Sequence, residues 1–295
     1  MPNASIVRLT DRGVVNVAGP DSEKLLQGLF TNEIEGLAEG SARFAGLLSP
    51  QGKILFDFFV VRVPDGYLLD VAAEKAPDLV KRLAMYKLRA DVTITDVTLE
   101  YSVHALWGNS ADQLAACAGG ILFADPRASD LGFRLLTQDA VPALSISQLA
   151  HLDYDALRVR LGVPEGGKDY AFGDAYPHEA DYDLFNGVSF TKGCYVGQEV
   201  VARMQNKTVV RKRVVRISAA SPLVSGADVL VSDVVIGRVG TVDGTRALAL
   251  IRLDRVLDAE EKNLSLTSHG TTITIESDAL DRYRRSARSS ATLQS

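Results

Sequence analysis

Lys192, Cys194, Gln198, Glu199 and Arg203 are the side chains of this 295-residue chain best able to do chemistry together. They fall within Asn186-Gly-Val-Ser-Phe-Thr-Lys-Gly-Cys-Tyr-Val-Gly-Gln-Glu-Val-Val-Ala-Arg203. Cys194 brings a sulfur that works as the thiolate, as nucleophile, redox group or metal handler. Lys192 brings an ammonium for an anion, close to that sulfur. Val188 and Phe190 alternate with polar neighbours and predict a short strand, which Gly193 breaks. From Tyr195 on, Val196, Val200 and Val201 recur at helical spacing, with Glu199 and Arg203 four apart on another face. The reading is strand, glycine turn, helix, with Cys194 at or just before the helix N-terminus. Unpaired N–H groups and a partial positive charge there lower a thiol pKa. A plainer reading stands beside it: a packed turn cysteine, a surface lysine, Gln198 and Glu199 capping the helix, and a surface Glu199–Arg203 pair.

The ordered run Lys192-Gly-Cys-Tyr-Val-Gly-Gln-Glu199, followed by Val-Val-Ala-Arg203, resembles the signature of the YgfZ-type folate-binding proteins. These are relatives of the glycine-cleavage T-protein and of a mitochondrial iron–sulfur assembly factor. The resemblance implies an α+β fold of T-protein type: two intertwined αβ modules, then a C-terminal β-barrel. It implies tetrahydrofolate, or another reduced folate, as cofactor. It also implies support of iron–sulfur cluster assembly or repair, with client or assembly proteins as partners. Lys192 and Cys194 are then working residues. Glu179 lies where T-protein relatives place an acid on the pteridine. Ile54-Leu-Phe-Asp-Phe58 is similar to a T-protein stretch with two adjacent aspartates, the second catalytic; here Phe56 replaces the first and Asp57 matches the second. That departure weakens a reading as an aminomethyl or other one-carbon transferase with Asp57 as base, which stays the alternative. A scaffold docking through the barrel and basic tail is a third reading.

A folate needs apolar or aromatic walls for the pteridine, a carboxylate or amide for its edge, and a cation for the glutamate tail. The 162–186 segment holds Tyr170, Phe172, Tyr176, Tyr182 and Phe185 among glycines, prolines and acids, without a period. So long an irregular stretch, rich in aromatics, reads as ordered around a site. With the 186–203 motif it offers all three residue types, and Glu179, Lys192, Gln198, Glu199 and Arg203 are the expected folate contacts. Cys194, Lys192 and Asp57 are the expected working residues.

Upstream, strands are expected over 6–9, 14–17, 44–48, 54–62, 67–71 and 92–95, with a helix after Pro20 and another over 76–85. A strand–glycine–helix unit recurs at Val103 to Gly108 and beyond, which points to related αβ halves. Strands at 121–124 and 131–136 and a helix over 153–161 follow. After Arg203 the texture turns to short strands with glycine turns, a small barrel. The expected domains are 1–205, 206–280 and a flexible Arg/Ser-rich tail, 281–295.

Hydrophobic content of 46% and charged content of 23% fit a globular chain, and a net charge of −5 argues against nucleic acid bound through bulk charge. The basic 207–216 run alternates with valines, as a solvent-facing strand does. The two cysteines cannot alone hold a structural zinc or an iron–sulfur cluster, and Cys117, among alanines, reads as a helix core residue. The four histidines show no ligand spacing, so no metal site is expected. No disulfide framework, secretory h-region or membrane span is visible, so the default compartment is cytoplasmic.

Overall fold

The computed structural model describes residues 4–108, 120–138, 147–148, 150–207, 209–275 and 280–285. It divides into two compact units. The first comprises 1–50, 54–154 and 184–196; the second comprises 51–53, 155–183 and 197–295.

The first unit holds two five-stranded sheets. One is built from β2 (Arg12–Ala18), β3 (Ala42–Leu48), β4 (Ile54–Val63), β5 (Gly66–Ala72) and β6 (Thr93–Asp96), in the order β3-β4-β5-β2-β6. The other contains β1 (Ser5–Arg8), β7 (Ser102–Trp107), β8 (Ile121–Ala124), β9 (Phe133–Thr137) and β10 (Ser147–Gln148), in the order β10-β1-β7-β9-β8. The first strand of the chain thus joins the second sheet, antiparallel to β7 and parallel to β10. That exchange intertwines the two αβ modules.

Buried on both faces, β4 reads as a nearly continuous apolar run, as a central strand should. One face carries Phe56, Phe58 and Val60 into a core with Val15, Val17 and Leu69. Helix α1 (Ser22–Gln27) adds Leu26 to it. Helix α2 (Ala76–Lys87) adds Ala76, Leu79 and Leu83, spaced along one helical stripe. Each such leucine contributes roughly 1.5–3 kcal/mol of burial.

On the opposite side of β4, Phe59 meets charge. The guanidinium carbons of Arg134, Arg127 and Arg12 lie 4.4, 4.8 and 6.0 Å from its ring centre. Asp70 accepts from Arg12 Nε at 2.7 Å and from Arg134 at 2.9 Å, which ties β5 to β9 of the other sheet. Asp125 pairs with Arg127 at 2.8 Å, and its carboxyl pKa is lowered: the Arg127 and Arg134 charges outweigh the burial that would raise it. The Tyr154 hydroxyl accepts from both Arg127 and Arg134 at 2.9 Å. Nearby on β7, His104 has its pKa pushed down to about 4, first by burial and then by Arg8, its cross-strand neighbour. Between pH 4 and its ordinary 6.5 the unfolded chain binds a proton that the folded chain does not, so stability is lost as the pH drops through that window. Urea unfolding should show a steeper loss from pH 7 to pH 5 in the wild type than in His104→Leu. Equal slopes would remove this histidine as the cause.

In the second unit, β11 (Lys212–Ala219), β12 (Asp228–Val231), β13 (Val234–Asp243), β14 (Arg246–Arg252), β15 (Leu266–Ser268) and β16 (Thr271–Ile275) close a barrel in the order β11-β14-β13-β12-β15-β16. Alternate residues such as Val215, Ile217, Ala247, Ala249 and Ile251 fill it. Helix α3 (His151–Leu161) crosses from the first unit into the second and carries Arg158. Fully buried, Arg158 binds Asp155 at 2.7 Å, Asp169 at 2.9 Å and Glu165 at 3.2 Å. Asp169 also accepts the Thr241 N–H at 2.8 Å, and a Cβ on Gly240 would stand 2.5 Å from that carboxylate. Glycine is required there by the close approach.

The α+β fold is as expected; several local readings differ. Val188 and Phe190 form no strand: the segment pairs instead with the 30–32 turn, Ser189 N–H donating to Thr31 O at 2.9 Å. The helix expected from Tyr195 starts later, as α4 (Gln198–Lys207). Strand β15 and helix α5 (Leu253–Glu261) were not foreseen. In α5 the buried Leu253, Val256 and Ala259 continue straight out of β14, without a turn residue to mark the change. The helix expected after Gly108, Cys117 within it, and the tail beyond Arg285 lie outside the described residues.

Candidate functional site

The motif loop is assembled on the turn that follows α1. Thr31 donates through Oγ1 to Gly187 O at 2.7 Å, and Asn32 Nδ2 donates to Phe44 O at 2.8 Å and Asn186 O at 2.6 Å. Asn186 takes a left-handed conformation, φ +54, and its own Nδ2 donates to Pro126 O at 2.9 Å. Polar side chains with short amides suit such positions.

Lys192 then reaches back to the same turn. Its Nζ donates to the carbonyls of Gln27, Phe30 and Asn32 at 2.8, 2.8 and 2.7 Å. The ammonium also lies 5.3 Å from the Tyr195 ring centre. Burial pushes the Lys192 pKa down to about 8, with Glu33 acting in the opposite sense. The same burial lifts the Tyr195 hydroxyl to about 12. Between these two anchored residues, Cys194 is exposed. Tyr195, Val196 and Gly197 (φ +82) separate the sulfur's residue from the first turn of α4.

The other expected residues fall in two places. Asp57 sits on β4, 3% exposed and opposite Gly46, on the Phe59 side of the strand. Glu179, Gln198, Glu199 and Arg203 belong to the second unit. Glu199 and Arg203 are exposed on α4. Glu179 is half-buried; its Oε2 accepts from Tyr176 N–H at 2.9 Å, and its pKa is raised by burial against that bond and the charges of Lys212 and Lys53. The Lys53 ammonium stands 3.5 Å from the Tyr176 ring centre, a close cation–π contact. Lys212 and Asp174, with Tyr170, Arg238 and Arg252, also line a cleft of about 750 Å3 in this unit. Its size is that of a small-molecule site. Cys194 does not line it. Among the described residues, no three or more His, Cys, Asp or Glu side chains gather as metal ligands would.

Sequence reasoning missed two features. One is the carbonyl turn that receives Lys192, since main-chain acceptors leave no mark in side-chain types. The other is the buried Arg–Asp network. Asp70 in Tyr67-Leu-Leu-Asp70-Val71 and Arg134 in Phe133-Arg-Leu-Leu were its visible signal: lone charges in apolar strands need partners.

Residues 2–134 match the GCVT N-terminal domain family, and residues 211–279 match the CAF17 C-terminal beta-barrel domain. The iron-sulfur cluster assembly factor IBA57, mitochondrial, of Homo sapiens is 36% identical over 277 residues, covering 84% of this chain and 78% of the human one. The chain belongs to the IBA57 family. The IBA57 homolog of Mycosarcoma maydis is 37% identical over 229 residues, covering 72% of this chain but only 57% of its own length. Within the IBA57 family, then, this chain spans somewhat over half of some relatives. Among solved structures, the glycine cleavage system aminomethyltransferase T from Bartonella henselae superposes with a TM-score of 0.75 at 16% identity, over 94% of this chain and 86% of that one, which establishes the T-protein fold. The cytoplasmic expectation is corrected by these relatives: the IBA57 proteins of human, mouse and Mycosarcoma maydis are all named as mitochondrial. The lack of a secretory h-region and of long apolar runs does not distinguish between those compartments, because mitochondrial leaders are amphipathic. Among the described residues no helix is long and apolar enough to cross a membrane.

Proposed function

We propose that this chain is a reduced-folate-binding factor that supports assembly or repair of iron–sulfur clusters in client enzymes, with Cys194 as its working thiol. The observation that carries the reading is an exposed sulfur on a loop whose neighbours on both sides are anchored. A presented thiol of this kind suits transient chemistry on a partner. The names of the IBA57 relatives support the iron–sulfur role, and the GCVT domain with its T-protein fold supports folate. The finer likeness, to YgfZ-type proteins, rests on the Lys192–Glu199 signature alone. In this reading Glu179 takes the pteridine edge, Gln198 and Glu199 contribute hydrogen bonds, and Arg203 is the cation for the glutamate tail. The Lys192 ammonium is already engaged by three carbonyls.

Calorimetric titration of the full chain with tetrahydrofolate tests the ligand. Saturable binding is expected, weakened about tenfold in Glu179→Gln, the scale of one lost charge-assisted hydrogen bond. A wild-type chain that takes up no reduced folate would remove the cofactor from the reading. A second reading, one-carbon transfer with Asp57 as base, draws on the T-protein fold. Turnover of an aminomethyl donor with tetrahydrofolate, lost in Asp57→Asn, would favour it. Against it stand Phe56 in place of an acid and the burial of Asp57.

A further inference from the structure

Three main-chain oxygens, those of Gln27, Phe30 and Asn32, converge on one point just past α1. Phe30 and Asn32 are buried. A buried carbonyl without a donor is costly, so this turn needs a cation or several N–H groups at that point. An alkylammonium head has three N–H bonds and no acceptor, and Lys192 spends all three here. The flanking bonds, Thr31 to Gly187 O and Ser189 N–H to Thr31 O, hold only the start of the loop. The Lys192 side chain ties the loop to the turn two residues before Cys194.

We infer that the 27–32 turn is an ammonium cradle whose tethered occupant, Lys192, is a positioning residue that sets the loop presenting Cys194, and that it is not a ligand's anion contact. This deepens the proposed function and rests on Cys194 being the working thiol. The chemistry of the cradle separates it from an anion site. A guanidinium is planar and cannot aim three donors at the position where the ammonium sits, so arginine should fail in the cradle. At an anion contact arginine should serve as well as lysine or better. A small free alkylammonium should refill the cradle, whereas it would not bring a cation to a ligand's carboxylate in the same geometry.

The experiment is amide hydrogen exchange across residues 189–196 in the full-length wild type, Lys192→Ala and Lys192→Arg, with and without propylammonium chloride. Exchange in Lys192→Ala should speed up about tenfold, the scale of orphaning buried carbonyls. Propylammonium should slow it again, sodium chloride at equal strength should not, and Lys192→Arg should stay fast. In cells, both variants should lose whatever support Cys194→Ala loses. If Lys192→Ala does not fold, Lys192→Arg alone decides, since it retains charge and bulk. Wild-type exchange and wild-type cellular support in Lys192→Arg would overturn the inference, as would a Lys192→Ala loop that propylammonium does not restore. If the exchange results hold while Cys194→Ala retains full cellular activity, the cradle stands and the proposed function falls.

Discussion

Asp70→Ala is expected to destabilise the protein by about 3–5 kcal/mol, the cost of removing one partner from a buried ion pair. Asp70 is wholly buried and receives Arg12 at 2.7 Å and Arg134 at 2.9 Å. Alanine would leave both guanidiniums in a dry layer, beside a phenylalanine ring that cannot replace a carboxylate. Arg134 would keep the Tyr154 hydroxyl and a longer approach to Asp125, 3.8 Å, so the loss is not total. Urea unfolding checks the figure, with Lys81→Ala as reference. The Lys81–Asp78 pair is exposed on both sides, and its removal should be within error of the wild type. If Asp70→Ala unfolds at nearly the wild-type midpoint, the network does not hold the two sheets of the first unit together.

The sheets themselves were legible from the chain, because β4 is an almost unbroken apolar run and the barrel strands are short runs separated by glycine turns. The intertwining was expected only through the family resemblance, because the pairing of Ser5 to Arg8 with β7 is long-range and leaves no local mark in the chain. The 186–203 motif was legible as residue types and misread as geometry. Glycine at 197, with φ +82, delays the helix to Gln198, and Ser189 bonds to a turn more than 150 residues earlier in the chain instead of pairing in a strand. The charge of Lys192 is visible in the sequence, but its three carbonyl partners are main-chain groups that residue types do not show.

The second large effect concerns Cys194. Because its side chain is exposed and its neighbours provide the anchoring, replacing it by alanine should leave the melting temperature unchanged. Function should not survive, because alanine offers no thiolate for nucleophilic, redox or metal chemistry. Serine should fail as well, since its hydroxyl stays protonated where a thiol ionises. Loss of function with an intact fold separates a working sulfur from a packed one. The most direct measurement is the activity of an iron–sulfur enzyme in cells lacking the native protein and supplied with Cys194→Ala at wild-type protein level. The account predicts activity no higher than in cells given no copy at all. Activity equal to that given by the wild-type chain would contradict it.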